Sequence, residues 1–232
     1  MQGLPLRKHL EDGMTESPAQ SPPPRHVGAV LHGAAIYDLQ VWLASFGRDR
    51  SLRAAMLAPA RIVRGESVLD VGCGTGSLAL LAARHVGPEG SVIGLDPSLE
   101  MLARARRKLG SGEGKVQFVE GAAQTLPFPV ASFDVALSSL MLHHLGRKAR
   151  SQFAREIVRV LKPGGRFLVV EFAKQEPARR SLFGRIHRHG HLGADEVADM
   201  LAEAGLRILE AGPVHWRGLG SVGKLHYSLA GV

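Results

Sequence analysis

Two aspartates and three glycines stand where a small charged ligand would want them. Asp70 falls at the end of the apolar run SVLDV, and Gly72, Gly74 and Gly76 follow it at alternate positions. Asp96 ends a second apolar run, SVIGLD. Backbone N–H groups bared by glycine at the start of a helix attract anions, and such loops commonly cradle phosphate. The spacing here departs from both phosphate-binding patterns. In G-x-G-x-x-G the third glycine would come one residue later, where Ser77 stands, and no lysine follows as a P-loop requires. An aspartate placed directly before the glycines would also repel a pyrophosphate. The arrangement suits a ligand with positive charge beside the loop and no phosphate. S-adenosylmethionine has a sulfonium and an α-ammonium, and its carboxylate can still use the helix N-terminus. Asp96 has two readings. It can accept both hydroxyls of a ribose, or it can cap a helix beginning near Ser98. Asp70 and the glycines upstream favour the ribose.

Groups able to move a proton lie further along. His143 and His144 sit in LMLHHLG, beyond a predicted strand, and imidazoles titrate near neutrality. The alternative for either is packing against the loop or capping the next helix. The segment RRSLFGRIHRHGH (179–191) crowds Arg179, Arg180, Arg185 and Arg188 with His187, His189 and His191. Alternate histidines suit a strand rather than an established ligand set, so no metal site is assigned. The segment reads as a solvated basic loop or as a cover for an anionic substrate, with Arg185, His187 and His189 as the candidate contacts. Cys73, inside the glycine loop, reads as a small filler residue. Trp42, Trp216 and Tyr227 read as core, or as the lining of an apolar pocket.

The elements that must position these groups follow from periodicity. Residues 1–26 contain ESPAQSPPPRH and read as an extended, mobile leader. From 27 to 63 the pattern is helical, with Pro59 expected to bend or end the second helix. Strands are predicted over 67–71, 91–96, 116–121, 133–139, 166–172, 206–212 and 224–232. Helices are predicted over 77–86, 98–109, 147–161 (closed by KPGG) and 194–205. Such alternation predicts an α/β fold: a doubly wound, Rossmann-like sheet, mostly parallel with a C-terminal antiparallel strand and helices on both faces. The expected organisation is a leader (1–26) and one domain (27–232). That domain divides into N-terminal helices (27–66), a ligand-binding core (67–172), an insertion at the substrate region (173–193), and a C-terminal helix with strands (194–232).

Bulk properties bound the reading. A chain of 232 residues, 45% hydrophobic and 22% charged, is ordinary for one large globular domain. No run of about 18 apolar residues is present to cross a membrane, and the N-terminus lacks the apolar centre of a signal peptide. A single cysteine excludes an internal disulfide and fits a cytoplasmic setting. The net charge of +8 favours anionic partners, including peripheral contact with an anionic membrane surface. The sequence does not set an oligomeric state.

Taken together, VLDVGCGTG, VIGLDPSLEML, VEGAAQTLPFPVASFDVALSSLMLHHL and LKPGGRFLVVEF resemble the class I S-adenosylmethionine-dependent methyltransferases. They are most similar to the small-molecule branch that includes ubiquinone/menaquinone-biosynthesis C-methyltransferases. The resemblance spans about residues 68–172. It implies that Asp70, Gly72, Gly74 and Gly76 hold the methionine part of the cofactor and that Asp96 takes the ribose hydroxyls. Pro97 and Met101 would lie near the adenine or ribose, and Gly121, Ala122 and Ala123 along the adenine. Ser138 would close the pocket, with His143 just beyond it as a candidate catalytic base. Tyr37 resembles a family tyrosine that covers the methionine end. The family usually has an acid where this chain has Ala122. Loss of that hydrogen bond to the adenine amine costs about 0.5–1.5 kcal/mol, which binding can survive.

The expected activity is in-line methyl transfer from S-adenosylmethionine to a small-molecule or lipid-like acceptor, leaving S-adenosylhomocysteine. Two other readings stay open. A nucleic-acid substrate suits the positive charge. However, SSLM stands where amino-methylating DNA enzymes have their Pro-Pro-aromatic motif, and aromatics are only 5%, few for base stacking. A non-catalytic cofactor-binding scaffold draws slight support from Ala122.

Overall fold

The computed structural model describes residues 49–109, 115–173, 192–216 and 225–232. The first described element, α1 (Asp49–Leu57), stops where Pro59 enters, and the chain tightens into a 3-10 turn over Ala58–Ala60. Proline has no N–H for an α-helical bond. Then come β1 (Ser67–Val71), α2 (Ser77–Val86), β2 (Ser91–Asp96), α3 (Leu99–Arg107), β3 (Lys115–Glu120) and β4 (Phe133–Ser139). After β4 a 3-10 turn (Leu142–His144) leads into α4 (Arg147–Val160), β5 (Leu161–Phe172), α5 (Ala194–Glu203), β6 (Arg207–Pro213) and β7 (Leu225–Gly231).

The seven strands form one sheet in the order β3-β2-β1-β4-β5-β7-β6. β1 to β5 are parallel, and β7 runs antiparallel between β5 and β6. The order reverses between β1 and β4, and ligands bind such sheets outside the carboxyl ends of the strands at that reversal. Antiparallel β7 therefore begins, at Leu225, on the same edge where β5 ends, with Phe172 opposite Leu225 and Glu171 opposite His226.

The side-chain alternation of the strands sorts two cores. On one face Leu69, Val71, Ala136, Phe167 and Val169 pack with α4 and α5 through Phe153, Ile157, Val197 and Leu201. On the other, Val68, Val135, Leu137, Leu168 and Val170 pack with α1, α2 and α3 through Met56, Leu78 and Leu102. Trp216 and Tyr227 lie against this second core. Trp216 Nε1 donates to Ser51 Oγ at 2.8 Å, and the Tyr227 hydroxyl donates to Glu210.

The boundaries differ from expectation for local reasons. α3 starts at Leu99 because Ser98 is its cap, its Oγ accepting from Met101 N. β5 begins at Leu161 rather than 166 because Leu161 already pairs with Phe133. The register then shifts before Arg166 joins Val135, so KPGG forms an irregularity within the strand.

The loop after β3 is clamped by α4. Arg159 donates to Phe128 O (2.6 Å) and Leu126 O (2.8 Å), and Glu156 Oε2 accepts from Leu126 N at 2.7 Å. Arg159 and Glu156 also bond each other directly. Ala122 and Ala123 lie in the first part of this loop, where Ala122 bridges to Thr125. Arg159→Ala leaves two carbonyls and a half-buried carboxylate without their donor. An expected loss of about 2–3 kcal/mol is read from the urea midpoint at constant m-value.

Candidate functional site

The predicted residues that the structure describes come from separate elements near the carboxyl ends of the parallel strands. Asp70 is the fourth residue of β1, only 1% exposed, and neither carboxylate oxygen has a hydrogen-bond partner among the described residues. Burial pushes its pKa up to about 7. Arg53 draws it down, Asp96 pushes it further up, and the Ala79 N–H tempers it weakly without reaching hydrogen-bond geometry. A buried unpaired carboxylate is among the most costly groups a fold can retain.

The three glycines turn out to serve different neighbours. All three have positive φ, which favours glycine. A Cβ at Gly72 would sit 2.5 Å from Met141 Cγ, and one at Gly76 would sit 2.6 Å from Phe118 Cζ. The close approach at those two positions is therefore made by the protein itself. At Gly74 nothing among the described residues lies within 4 Å of a built Cβ, which leaves room there for a ligand to approach the loop.

Asp96, at the end of β2, fixes that loop. Its Oδ2 accepts from Gly74 N at 2.8 Å and its Oδ1 from Ser98 N at 2.9 Å. The helix cap is Ser98, so the alternative reading of Asp96 goes to its neighbour. Asp96 thus ties the glycine loop to the start of α3 through the backbone on either side of its carboxylate. Pro97 is half-buried and Met101 is 2% exposed, inside α3. Gly121 follows β3 and lies against Leu95, and Ala122 and Ala123 are buried beside it. Ser138, near the end of β4, is 1% exposed, and its Oγ lacks a partner among the described residues. Cys73 is buried, and burial raises its thiol pKa well above the ordinary range, as expected of a filler residue. Tyr37, Trp42, Arg185, His187 and His189 lie outside the described residues.

Beyond Ser138 the chain leaves β4 through Leu140, a non-glycine residue with φ of 53°. Such backbone is strained and persists only where its surroundings hold it. Here Leu140 N donates to Val170 O, and the following 3-10 turn is held at both ends: Leu142 N donates to Glu171 Oε1 at 2.7 Å, and Arg150 Nε donates to Leu142 O at 3.0 Å. The turn delivers His143 Nδ1 to within 2.8 Å of Glu171 Oε2. Glu171 is 1% exposed, and its Oε2 is placed to accept the hydrogen bond that Nδ1–H donates. Nε2 is then the nitrogen left to accept one. The His144 ring lies 4.0 Å from that of His143, its pKa lowered by burial first and by His143 second. Sequence reasoning did not single out Glu171. Its signal was an acid inside the otherwise apolar strand RFLVVEF. Among the described residues no group of three or more His, Cys, Asp or Glu could hold a metal ion, and no helix is long and apolar enough to cross a membrane.

Residues 68–165 match the family described as "Methyltransferase domain". The ubiquinone/menaquinone biosynthesis C-methyltransferase of Francisella philomiragia is 36% identical over 169 residues, covering 72% of this chain and 67% of that protein. Its counterpart in Azotobacter vinelandii is 39% identical over 175 residues, covering 74% and 67%. In fold, the chain is similar to an S-adenosylmethionine-dependent methyltransferase from Aquifex aeolicus. The TM-score is 0.67 at 21% identity, covering 87% of this chain and all of the other. The chain belongs to the methyltransferase family of these curated relatives and is an S-adenosylmethionine-dependent methyltransferase of class I.

Asp70 makes a stability prediction. The folded protein holds its proton up to about pH 7, whereas the unfolded chain gives it up near 3.8. Between those values the folded state binds more protons, so Asp70 lowers stability as pH rises through this window. In the cofactor-free protein Asp70→Asn should raise stability at pH 8 by about 2–4 kcal/mol, with the gain shrinking towards pH 4. Urea titrations at both pH values measure it.

Proposed function

We propose that the enzyme methylates a ring carbon of a small, hydroxylated, quinol-like acceptor, with His143 as the base and Glu171 as its positioning residue. The observation that carries this reading is the pair formed by half-buried His143 and buried Glu171 at the edge where β4 and β5 end, beyond the glycine loop. The two curated relatives support it by name, as C-methyltransferases of ubiquinone and menaquinone biosynthesis. Carbon is a weak nucleophile until a ring hydroxyl loses its proton, and the product must then lose a ring proton. Both steps call for a base.

The residues present fit S-adenosylmethionine. Asp70 offers an unpaired buried carboxylate to a cation, and Gly74 offers open backbone beside it. In this proposal Asp70, Gly72, Gly74 and Gly76 hold the methionine end and Asp96 receives the ribose hydroxyls. Pro97, Met101, Gly121, Ala122 and Ala123 surround the adenosine, and Ser138 Oγ closes the pocket. The bound cofactor supplies a methyl group already activated on a sulfonium. The protein's own share is alignment, exclusion of water and proton removal. Glu171 holds the His143 ring by Nδ1, so that Nε2 takes the acceptor's proton. A cytoplasmic location, a lipid-like tail on the acceptor and contact of the basic surface with anionic membrane belong to the same proposal.

The test is labelled methyl transfer to a panel of quinols, phenols, amines and thiols. Carbon-methylated product from a quinol supports the reading, and transfer only to amines or thiols contradicts it. On the preferred acceptor, His143→Gln should lower kcat about 10²–10⁴-fold with cofactor affinity unchanged. Glu171→Gln should lower it less, and the double variant should be no worse than His143→Gln alone, because Glu171 acts through His143. Additive losses would remove Glu171 from that role.

A further inference from the structure

His226 is buried and chemically idle. It is the second residue of β7, 8% exposed, and neither Nδ1 nor Nε2 has a hydrogen-bond partner among the described residues. It stands directly opposite Glu171 across the antiparallel β5–β7 pair, so the two side chains share one face of the sheet. That is the face of Phe167, Val169, Ala136 and Ala230. By strand alternation it also carries Ser138, whose Oγ is unpartnered as well. Glu171 does not satisfy His226, since Oε1 accepts from Leu142 N and Oε2 is held by His143 Nδ1. The face thus presents, side by side at the carboxyl edge, a base held by an acid and a second imidazole with nothing to bind. A buried polar group without a partner destabilises the fold, and a fold retains one most readily where a ligand supplies the partner.

Burial draws the His226 pKa down, against the pull of Glu171. The ring is therefore neutral near pH 7, with one donor nitrogen and one acceptor nitrogen. A neutral imidazole of this kind matches a hydroxyl or carbonyl oxygen, whereas a carboxylate or phosphate would call for a cation.

Building on the acceptor class proposed above, we propose that His226 is a specificity-determining contact for a second oxygen of the acceptor. One ring oxygen meets His143 and another meets His226. The enzyme then selects rings carrying two oxygens over otherwise equal rings carrying one. A site that hydrogen-bonds a substrate oxygen rejects the analogue lacking it, because its own buried group is left unpaired.

The test compares 1,4-naphthalenediol with 1-naphthol, handled without air, on the full-length enzyme. Binding is measured by calorimetry in the presence of S-adenosylhomocysteine, and methyl transfer separately. The wild type should bind the diol about 10-fold to 100-fold more tightly than the mono-ol. His226→Phe should remove that preference, losing affinity for the diol while leaving the mono-ol and cofactor affinities unchanged. His226→Gln, which keeps a donor and an acceptor, should retain part of it and serves if the Phe variant does not fold. Equal wild-type affinity for the two rings overturns the role of His226 and leaves the acceptor class standing. A preference that survives both substitutions does the same. Failure of the wild type to bind either ring overturns the acceptor class and this inference together.

Discussion

A carboxylate buried without a protein partner sets the terms for the rest of this molecule. Asp70 lies in β1, an interior strand of the sheet, at 1% exposure, with both oxygens unbonded among the described residues and its pKa pushed to about 7 by burial. Nothing in the packing of the sheet asks for an acid there. Its neighbours Leu69 and Val71 complete one core, and Val68 the other. The group makes sense as half of an interaction whose other half is a cation, and a sulfonium cofactor supplies one. In the proposed function the destabilising acid is the source of ligand selectivity: a carboxylate there opposes a phosphate and attracts a positive charge.

The surrounding structure holds that acid beside an open stretch of backbone. Asp96 pins the loop through Gly74 N, Met141 packs on Gly72, and Phe118 packs on Gly76, whereas Gly74 has no neighbour within 4 Å of a built Cβ among the described residues. The same edge of the sheet carries the other groups. β4 carries Ser138 next to its last residue and runs on into the strained Leu140, β5 carries Glu171 next to its last residue, and antiparallel β7 carries His226 as its second residue. Because β7 inserts between β5 and β6, its first residues return to the edge where the parallel strands finish.

Much of this was legible in the sequence. Buried parallel strands announce themselves as short apolar runs, and SVLDV, SVIGLD and FDVALSS fell within their observed bounds to the residue. The loop and Asp96 were legible because glycine and acid types are chemically specific. What each glycine touches was not legible, since Met141 and Phe118 lie far away in sequence. Glu171 and His226 escaped for the opposite reason. Each stands alone as an acid or an imidazole in a largely apolar run, and only the β5–β7 register shows that they oppose each other. The KPGG break, read as a helix stop, lies within a strand because Leu161 pairs before the turn and Arg166 after it.

The central claim is that cofactor binding charges Asp70. Calorimetry of S-adenosylmethionine binding between pH 5.5 and 7.5, in two buffers of different ionisation enthalpy, measures it directly. Below about pH 7 the free carboxyl is largely protonated and must ionise to meet the cation. Close to one proton should therefore be released per cofactor at the acid end, and affinity should fall about tenfold for each pH unit below 7. Affinity independent of pH, with no proton released, would contradict the account.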